Sequence, residues 1–458
     1  MKRREAIILK KNIQDMPLKY FILTFGCQMN MHDSEVMAGI LENIGYTAAE
    51  NKEQADILLI NTCCVRETAE NKIYGLLGRL RKLKYEKPAL FIGIGGCMTQ
   101  QERTAEKIKN RFPFVDLIYG TENYHNFTEL LKTAQDSQKT VLQLSHQINP
   151  VIEGLPIKRA SGFRAWVVVT YGCNNYCTYC IVPYVRRNER SRQPGHIISE
   201  VKDLIAHGYR EITLLGQNVN SYGKDLEQPS DFAGLLTEVN KISGLDRIRF
   251  VTSHPRDFNQ RLIETISSCE KICEHIHLPV QAGSNHILKR MNRGYTREHY
   301  INLVESIRRS IPGVSVTTDI MIGFPGESDQ DFQDTLDLIE RIRFDSAFTF
   351  VYNKRQGTPA ASMEGQIPDH VKSKRIKVLV DLQNKISKEI NLREVGKKHW
   401  LLVEGTSKTN NQLLSGRTRS NKTVIFPGPH YLNGKIAEVE ITEGKLTHLE
   451  GKWLDNYC

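Results

Sequence analysis

The sequence lacks several features that would settle its class at once. No run of about 18 apolar residues occurs, so no bilayer-spanning helix is expected. The apolar stretch nearest the N-terminus, Ala6 to Leu9, is closed by Lys10 and Lys11 and is too short for a secretory signal. A cytoplasmic chain without membrane contact is the expectation. There is no internal repeat and no low-complexity tract, which excludes solenoids and tail-like disordered segments. The apolar fraction, 40%, and the charged fraction, 25%, are those of an ordinary globular protein. At roughly 150 residues per domain, 458 residues suggest about three domains.

Cysteine and positive charge are not lacking. Lys and Arg number 62 against 52 Asp and Glu, a net charge of +10 that suits a polyanionic partner, nucleic acid first. The ten cysteines are Cys27, Cys63, Cys64, Cys97, Cys173, Cys177, Cys180, Cys269, Cys273 and Cys458. Reduced thiols are the rule in a cytosolic chain, which argues against a disulfide framework. These cysteines cluster, and clustering points to metal or redox chemistry.

Residues 18–135 alternate strand-like and helical segments. Lys19 to Thr24, Asp56 to Ile60 and Ala89 to Ile94 read as strands, with helical spacing over Ser34 to Asn43 and Val65 to Lys82. That alternation predicts a parallel sheet with right-handed crossovers, whose ligands sit beyond the carboxyl ends of the strands. Cys27, Cys63 and Cys97 each follow such a strand, so they are expected to converge. Residues 136–158 are polar and Pro-containing and read as a linker. From 159 to 390 six further strand candidates begin near Ala165, Glu211, Arg247, His275, Ser315 and Ser346. Helices between them, such as Ile197 to His207 and Asp329 to Ile342, predict a full or partial (β/α) barrel with its chemistry at the strand C-termini. A charged helix over Val371 to Glu394 closes it. Residues 393–456 are short strands split by Gly, Asn and Pro, a small all-β barrel of the OB type. The fold class is α/β, with this barrel appended.

The sharpest chemical signal is Cys173-Asn-Asn-Tyr-Cys177-Thr-Tyr-Cys180. Three thiolates at C-x3-C-x2-C spacing can hold three irons of a 4Fe-4S cluster and leave the fourth open. A structural zinc would want a fourth ligand, and His196 is the one histidine nearby. The motif, with Tyr179 before its last cysteine, resembles the radical S-adenosylmethionine superfamily. Gly26-Cys-Gln-Met-Asn30, Asn61-Thr-Cys-Cys-Val-Arg-Glu67 and Gly96-Cys-Met98 resemble the ligand motifs of the methylthiotransferase N-terminal domain. Gly172 to Tyr184 and Leu215 to Gly223 resemble the MiaB-type tRNA methylthiotransferases, and the C-terminal segment resembles the TRAM RNA-binding domain. Together the resemblance spans about residues 18–455.

The resemblance implies two 4Fe-4S clusters, one on Cys173, Cys177 and Cys180 and an auxiliary one on Cys27, Cys63 and Cys97. It implies S-adenosylmethionine as cofactor, two per turnover: one yields a 5′-deoxyadenosyl radical, the other donates a methyl group. The implied reaction puts a methylthio group on carbon 2 of N(6)-isopentenyladenosine at tRNA position 37. Cys63 is favoured over its neighbour Cys64 as ligand because it follows Asn-Thr. Tyr179, Gln217, Ile322 and Gly323 are the implied cofactor contacts, the last two in Asp319 to Glu327, a late strand motif that lines an adenine pocket. Asn218, Gln281 and Arg293 follow barrel strands and are further pocket candidates. Arg186, Arg187, Arg190 and Arg192, just after the cysteine motif, are candidates for RNA phosphates. So are Lys397, Lys398, Arg417, Arg419 and Lys422 in the small barrel. Cys269, Cys273 and Cys458 are read as having no ligand role. The partners implied are a tRNA anticodon stem-loop, an electron donor such as flavodoxin or ferredoxin and an unidentified sulfur donor, with a monomeric enzyme. Rival readings are the same chemistry on N(6)-threonylcarbamoyladenosine or a ribosomal-protein aspartate, and a non-catalytic iron-sulfur RNA-binding protein. The Arg66-Glu67 pair and the basic small barrel lean toward the isopentenyl substrate.

Overall fold

A computed structural model describes residues 17–64, 67–145, 151–228 and 230–455. The chain divides into two compact units. One runs to Ala160 and takes in Tyr171–Asn174 and Cys180–Arg190; the other holds Ser161–Thr170, Asn175–Tyr179 and the chain from Ser191 onward.

The first unit is built on a six-stranded parallel sheet of β1 (Lys19–Thr24), β2 (Thr47–Ala48), β3 (Ile57–Thr62), β4 (Phe91–Gly96), β5 (Leu117–Tyr119) and β6 (Val141–Gln143). The strand order is β2-β1-β3-β4-β5-β6. β3 and β4 are buried along their whole length, as an internal parallel strand must be when helices cover both faces. Helices α1 (Gln28–Asn43), α2 (Glu67–Glu86), α3 (Glu102–Arg111) and α4 (Phe127–Asp136) supply that cover. Leu58 and Ile60 pack with Ile73 and Leu77 of α2 on one face. Ile57 and Leu59 pack with Met37 of α1 and Phe127 of α4 on the other. The chain leaves β1 for β2 on one side and crosses back to β3 on the other. A topological switch therefore lies between β1 and β3, where such sheets open a crevice at their carboxyl edge.

The stretch expected to be a linker is partly structural. β6 pairs with β5, and Leu155 and Ile157 pack on the face that α1 covers. The Lys158 N–H donates to the Glu35 carbonyl (2.9 Å), and the Glu35 carboxylate accepts from the Ala160 N–H (2.9 Å) and Arg159 (3.3 Å). Polar composition hid this, because the anchoring acceptor lies more than a hundred residues away.

In the second unit, β7 (Arg164–Val168), β8 (Glu211–Leu215) and β9 (Arg247–Phe250) form one parallel sheet. β10 (His275–His277), β11 (Ser315–Ile322) and β12 (Ser346–Val351) form a second. A parallel bridge between Ile248 and Ile272 joins them into an arc, the partial barrel. Asp329–Ile342 is helical as predicted, fixed by a reciprocal cap of Ser328 and Asp331. The helix Asp369–Leu392 leads to a closed barrel of β13 (Lys398–Thr406), β14 (Leu414–Arg417), β15 (Thr423–Phe426), β16 (Ile436–Gly444) and β17 (Leu449–Trp453).

The outer face of the arc packs on its helices, and alternation turns Glu211, Arg247, Arg249, His275 and Thr317 to the inner face. These polar groups lie toward the N-terminal ends of their strands, and the small barrel meets them there. Arg247 donates to the carbonyls of Arg417 and Trp400 (2.8 Å each), and Arg249 to those of Thr418 (2.8 Å) and Arg419 (3.0 Å). Among the described residues no helix is long and apolar enough to cross a membrane.

Candidate functional site

In the first unit, Cys27 follows β1 and is the N-terminal cap of α1. Cys63 and Cys64 follow β3, and Cys97 follows β4. Three loops thus bring cysteines to the crevice at the switch point. One side chain, Asn30, ties the loops together. Its Nδ2 donates to the carbonyls of Phe25 and Thr62 (2.9 Å each), and its Oδ1 lies 3.8 Å from the sulfurs of both Cys27 and Cys97. Asn61 answers from β3, donating to the Asn30 carbonyl (2.7 Å) and the Ser34 hydroxyl (3.0 Å). Gly26, at φ +127, has no room for a side chain: a Cβ there would stand 2.8 Å from Cys63 Cβ.

Cys63 therefore lies over Gly26, next to Cys27. Cys64 is fully buried among Leu58, Ile60 and Met98. It is not an idle thiol, since its hydrogen bond to Cys97 is the main influence pulling the Cys97 thiol down to about 6. Burial opposes that shift, and the Arg186 guanidinium reinforces it.

Among the described residues no three Cys, His, Asp or Glu close around a single metal ion. Thiolates on one zinc stand about 3.8 Å apart, given Zn–S bonds of about 2.3 Å. The thiolates of a cubane bind separate irons and stand farther apart, so three loop cysteines that do not close around one point suit a cluster better than an ion. The donor set fits: soft sulfurs, a neighbouring cation and a helix N-terminus that favours negative charge.

Four arginines expected at an RNA surface are placed otherwise. Arg186 is buried, with its Nε 3.2 Å from the Cys97 sulfur and its Nη2 on Asn30 Oδ1 (3.0 Å) and Asp33 Oδ2 (2.5 Å). Arg190 forks onto both Glu122 oxygens at 2.8 Å. Arg192, in the second unit, is buried on Glu200 (2.6 Å) and the Val168 carbonyl (2.8 Å). Arg187 is half-buried and donates to the Ser145 carbonyl (3.4 Å). In the sequence the run is a candidate phosphate surface, but Asp33 and Glu122, the acids that meet Arg186 and Arg190, lie 153 and 68 residues away, and Glu200, on the helix that follows, meets Arg192. Asn30 and Asp33 were missed for the same reason, although the first stands inside the motif Gly26 to Asn30.

The C-x3-C-x2-C segment starts at Gly172, whose φ is +76 and whose absent Cβ would meet the Asn188 carbonyl at 2.0 Å. The Cys173 N–H donates to the Arg187 carbonyl (3.0 Å). Cys173 and Cys177 are buried and Cys180 is half-buried. In the second unit Arg293 is buried with Nη1 3.3 Å from the Cys177 sulfur and 3.4 Å from the Tyr179 hydroxyl, while Nη2 donates to the Pro279 carbonyl (2.8 Å). Thr178 is pinned through its N–H to the Met291 carbonyl (3.1 Å) and its hydroxyl to the Arg290 carbonyl (2.9 Å). His196 is exposed on the helix Pro194–Ala206.

The loops after β8 and β9 carry polar atoms with nothing to bond. Gln217 Oε1, Asn218 Oδ1, Ser253 Oγ and His254 Nε2 are buried without a partner. The two loops are joined: Asn220 Oδ1 accepts from the His254 N–H (2.8 Å), and Asn220 Nδ2 donates to its carbonyl (2.9 Å). The His254 pKa falls to about 2 through burial first and the Arg293 charge second, so the ring is neutral. Its Nδ1 accepts from the Arg256 N–H (3.3 Å), which leaves the proton on Nε2 as a free donor. Buried polar groups are normally satisfied. Four orphans on adjoining loops at a strand carboxyl edge fit a polar cofactor with amino, carboxylate and hydroxyl groups. Ser253 and His254 were not singled out in the sequence, although Thr252-Ser253-His254-Pro255 is a polar run directly after a buried strand.

Gln281 takes φ +72 and bridges to Ile320. In Asp319 to Glu327, the segment expected to line an adenine pocket, the Gly323 N–H is taken by Glu327 (2.9 Å) and the Ile322 carbonyl already accepts from the Tyr352 N–H (2.9 Å). That carbonyl keeps a second lone pair for a further donor.

In the small barrel, Arg419 donates to Glu274 (2.6 Å) and to the carbonyls of Glu270 and Ile272, and Lys422 to Asp345 (2.8 Å). Both hold the barrel to the arc rather than face solvent. Arg417 pairs with Glu404 (3.2 Å). Lys397 and Lys398 are exposed, Lys397 with Glu394 at 3.0 Å. Exposed Trp400 shares its strand face with Lys398, and Lys435 lies 5.3 Å over the exposed Tyr431 ring. Cys269 and Cys273 are buried in the second unit. Arg66 and Cys458 lie outside the described residues, as does the Glu67 side chain.

Comparison with known proteins follows this division. Residues 19–120 match the uncharacterized protein family UPF0004, residues 167–339 the Radical SAM superfamily and residues 392–454 the TRAM domain. A tRNA-2-methylthio-N(6)-dimethylallyladenosine synthase of Carboxydothermus hydrogenoformans is 57% identical over 94% of this chain and 98% of its own length. One of Pelotomaculum thermopropionicum is 58% identical over 96% and 98%. Among solved structures, the radical S-adenosylmethionine methyltransferase TsrM of Kitasatospora setae overlays with a TM-score of 0.56 at 14% identity, covering 76% of this chain and 75% of that one. At that identity the likeness is one of fold.

Proposed function

The chain belongs to the family of tRNA-2-methylthio-N(6)-dimethylallyladenosine synthases, radical S-adenosylmethionine methylthiotransferases, and from that premise we propose that it methylthiolates carbon 2 of N(6)-isopentenyladenosine at position 37 of tRNA. What supports the proposal is the pairing of the C-x3-C-x2-C motif with three further loop cysteines in a chain that matches this family over 94–96% of its length. Cys173, Cys177 and Cys180 would hold the 4Fe-4S cluster that binds S-adenosylmethionine, and Cys27, Cys63 and Cys97 an auxiliary one. When bound, the first cluster and its cofactor supply a 5′-deoxyadenosyl radical for hydrogen abstraction, and the second supplies the sulfur.

The chain's own residues bind and orient. Arg293 fixes Cys177 and Tyr179, and Arg186 fixes Cys97. Gln217, Asn218, Ser253 and the His254 Nε2–H offer hydrogen bonds to the polar groups of S-adenosylmethionine. An anticodon loop presents unpaired bases that can enter a pocket without melting a duplex. Lys397, Lys398, Trp400, Tyr431 and Lys435 are exposed charged and aromatic groups of the small barrel suited to RNA backbone and bases. We assign residues 18–135 to sulfur delivery, 159–390 to radical generation and 393–456 to RNA. A one-electron donor of the flavodoxin or ferredoxin kind and a separate sulfur source complete the reaction, and the enzyme acts as a monomer.

The test is anaerobic reconstitution with iron and sulfide, followed by assay on isopentenylated tRNA. About eight irons per chain, falling to about four in a Cys173/Cys177/Cys180→Ala variant, are expected. Two S-adenosylmethionine should be consumed per methylthio product, with one 5′-deoxyadenosine released. About four irons falling to none, or product without 5′-deoxyadenosine, would overturn the proposal.

A further inference from the structure

We propose that Arg186, clamped by Asp33, is a positioning residue that sets the electronic state of the auxiliary cluster, orienting Cys97 and raising the cluster's reduction potential through an N–H···S bond. The proposal rests on the auxiliary cluster argued above. Its starting point is a mismatch. Arg186 and Asp33 are both buried, with side chains 6% and 3% exposed, and such a pair is stabilising only when every remaining donor and acceptor is used well. Yet the guanidinium spends its Nε–H on the Cys97 sulfur at 3.2 Å. A neutral thiol would be a weak acceptor, so a buried arginine that spends a donor here calls for a sulfur that carries charge. A metal-bound thiolate carries it.

The rest of the arrangement holds the cation in that one pose. Nη2 is shared between Asp33 Oδ2 and Asn30 Oδ1, and Asn30 is the side chain that ties the cysteine loops together. Arg186 itself follows the one-turn helix Val182–Val185; Val185 and the capping residue Ile181 are buried in the core of the first unit, so the guanidinium is delivered from a packed segment. Partners of this kind, one step behind the ligands, orient them and tune the metal, and hydrogen bonds to sulfur are a recognised control on cluster potential. A cation and an N–H donor beside a ligand sulfur favour the reduced, more negative cluster. Asp33 counters part of that charge.

The two charges therefore predict opposite shifts, which damage to packing would not produce. The full chain carrying Cys173/Cys177/Cys180→Ala isolates the auxiliary cluster. After anaerobic reconstitution its iron is counted and its midpoint potential measured by redox titration followed by electron paramagnetic resonance. Arg186→Gln should lower the potential by roughly a tenfold change in the reduced-to-oxidised ratio, 59 mV for a one-electron couple. Asp33→Asn, which keeps an acceptor for Arg186, should raise it. Arg186→Lys, which keeps the charge and loses the Nε–H, should fall between Arg186→Gln and the parent. Unchanged potentials, or shifts of the same sign in Arg186→Gln and Asp33→Asn, overturn the proposal while the cluster stands. If Arg186→Gln no longer holds about four irons, Arg186→Lys and Asp33→Asn decide on the same signs. No iron in the parent variant would remove the auxiliary cluster and this inference together.

Discussion

Removing the Arg249 guanidinium by Arg249→Met should loosen the small barrel on the arc, which Arg247, Arg419 and Lys422 still hold, and cost about 4 kcal/mol. Arg249 donates from Nε to Glu211 at 2.9 Å, and the side chains are only 7% and 4% exposed. Breaking a buried pair by deleting one partner costs about 3–5 kcal/mol, because the other charge stays desolvated. The carbonyls of Thr418 and Arg419 also lose their donors, at about 1 kcal/mol each. Arg247, 4.0 Å from Glu211, returns part of this, which brings the sum back to about 4 kcal/mol. A typical domain has about 5–15 kcal/mol in total, so the loss is easily measured. Urea unfolding gives the loss directly, and trypsin cleavage near 393–398 reports the loosening. Arg249→Met/Glu211→Leu removes both charges and should recover about 2–3 kcal/mol. A single-variant loss below about 1 kcal/mol, or a double variant as unstable as the sum of the singles, would refute the reasoning.

Other predictions are independent of that one. Cys63→Ala should halve the reconstituted iron, whereas Cys64→Ala should keep about eight irons and slow only the loading, since Cys64 supports the Cys97 thiolate; equal iron loss in both would reassign the ligand. His254→Ala should weaken S-adenosylmethionine binding by roughly tenfold in calorimetry on the reconstituted enzyme, and unchanged affinity would remove His254 from the pocket. Glu394 is held down to about 2 chiefly by His399 (2.8 Å) and then, against its burial, by Lys397. Its folded pKa is below the ordinary value, so its contribution is present above about pH 4.5 and lost as pH falls toward 2. Glu394→Gln should thus cost about 1 kcal/mol at pH 7, discounted for solvent, and nothing near pH 2. A cost that stays constant across that window would show the carboxylate charge to be irrelevant.

Periodicity made the sheet of the first unit, the arc and the small barrel legible, because buried parallel strands are short apolar runs between amphipathic helices. β2, β5 and β6 were missed: at two or three residues they are shorter than any periodicity can resolve. The six cysteines stood out as two candidate sets because each stands at a turn after a strand or in one tight motif. Their surroundings were not. Arg186, Arg190, Arg419 and Lys422 read as a basic surface, since adjacent charges in a sequence give no sign of the distant carboxylates that meet them; Arg192 read the same way although Glu200 stands only 8 residues on. Ser253 and His254 were invisible for the converse reason, their lack of partners being a property of the folded loops alone.

The seam between the arc and the small barrel has a consequence for how such a molecule can change. Arg247 and Arg249 grip the barrel largely through main-chain carbonyls at Trp400, Arg417, Thr418 and Arg419. A carbonyl is the same whatever side chain its residue bears. Much of the attachment is thus blind to the identity of the residues attached, while Lys398 and Trp400 point outward from the same strand. A new RNA preference can be written on that outward face, by drift or by an engineer exchanging one barrel for another, provided that Arg419 and Lys422, which meet Glu274 and Asp345 through their side chains, are kept.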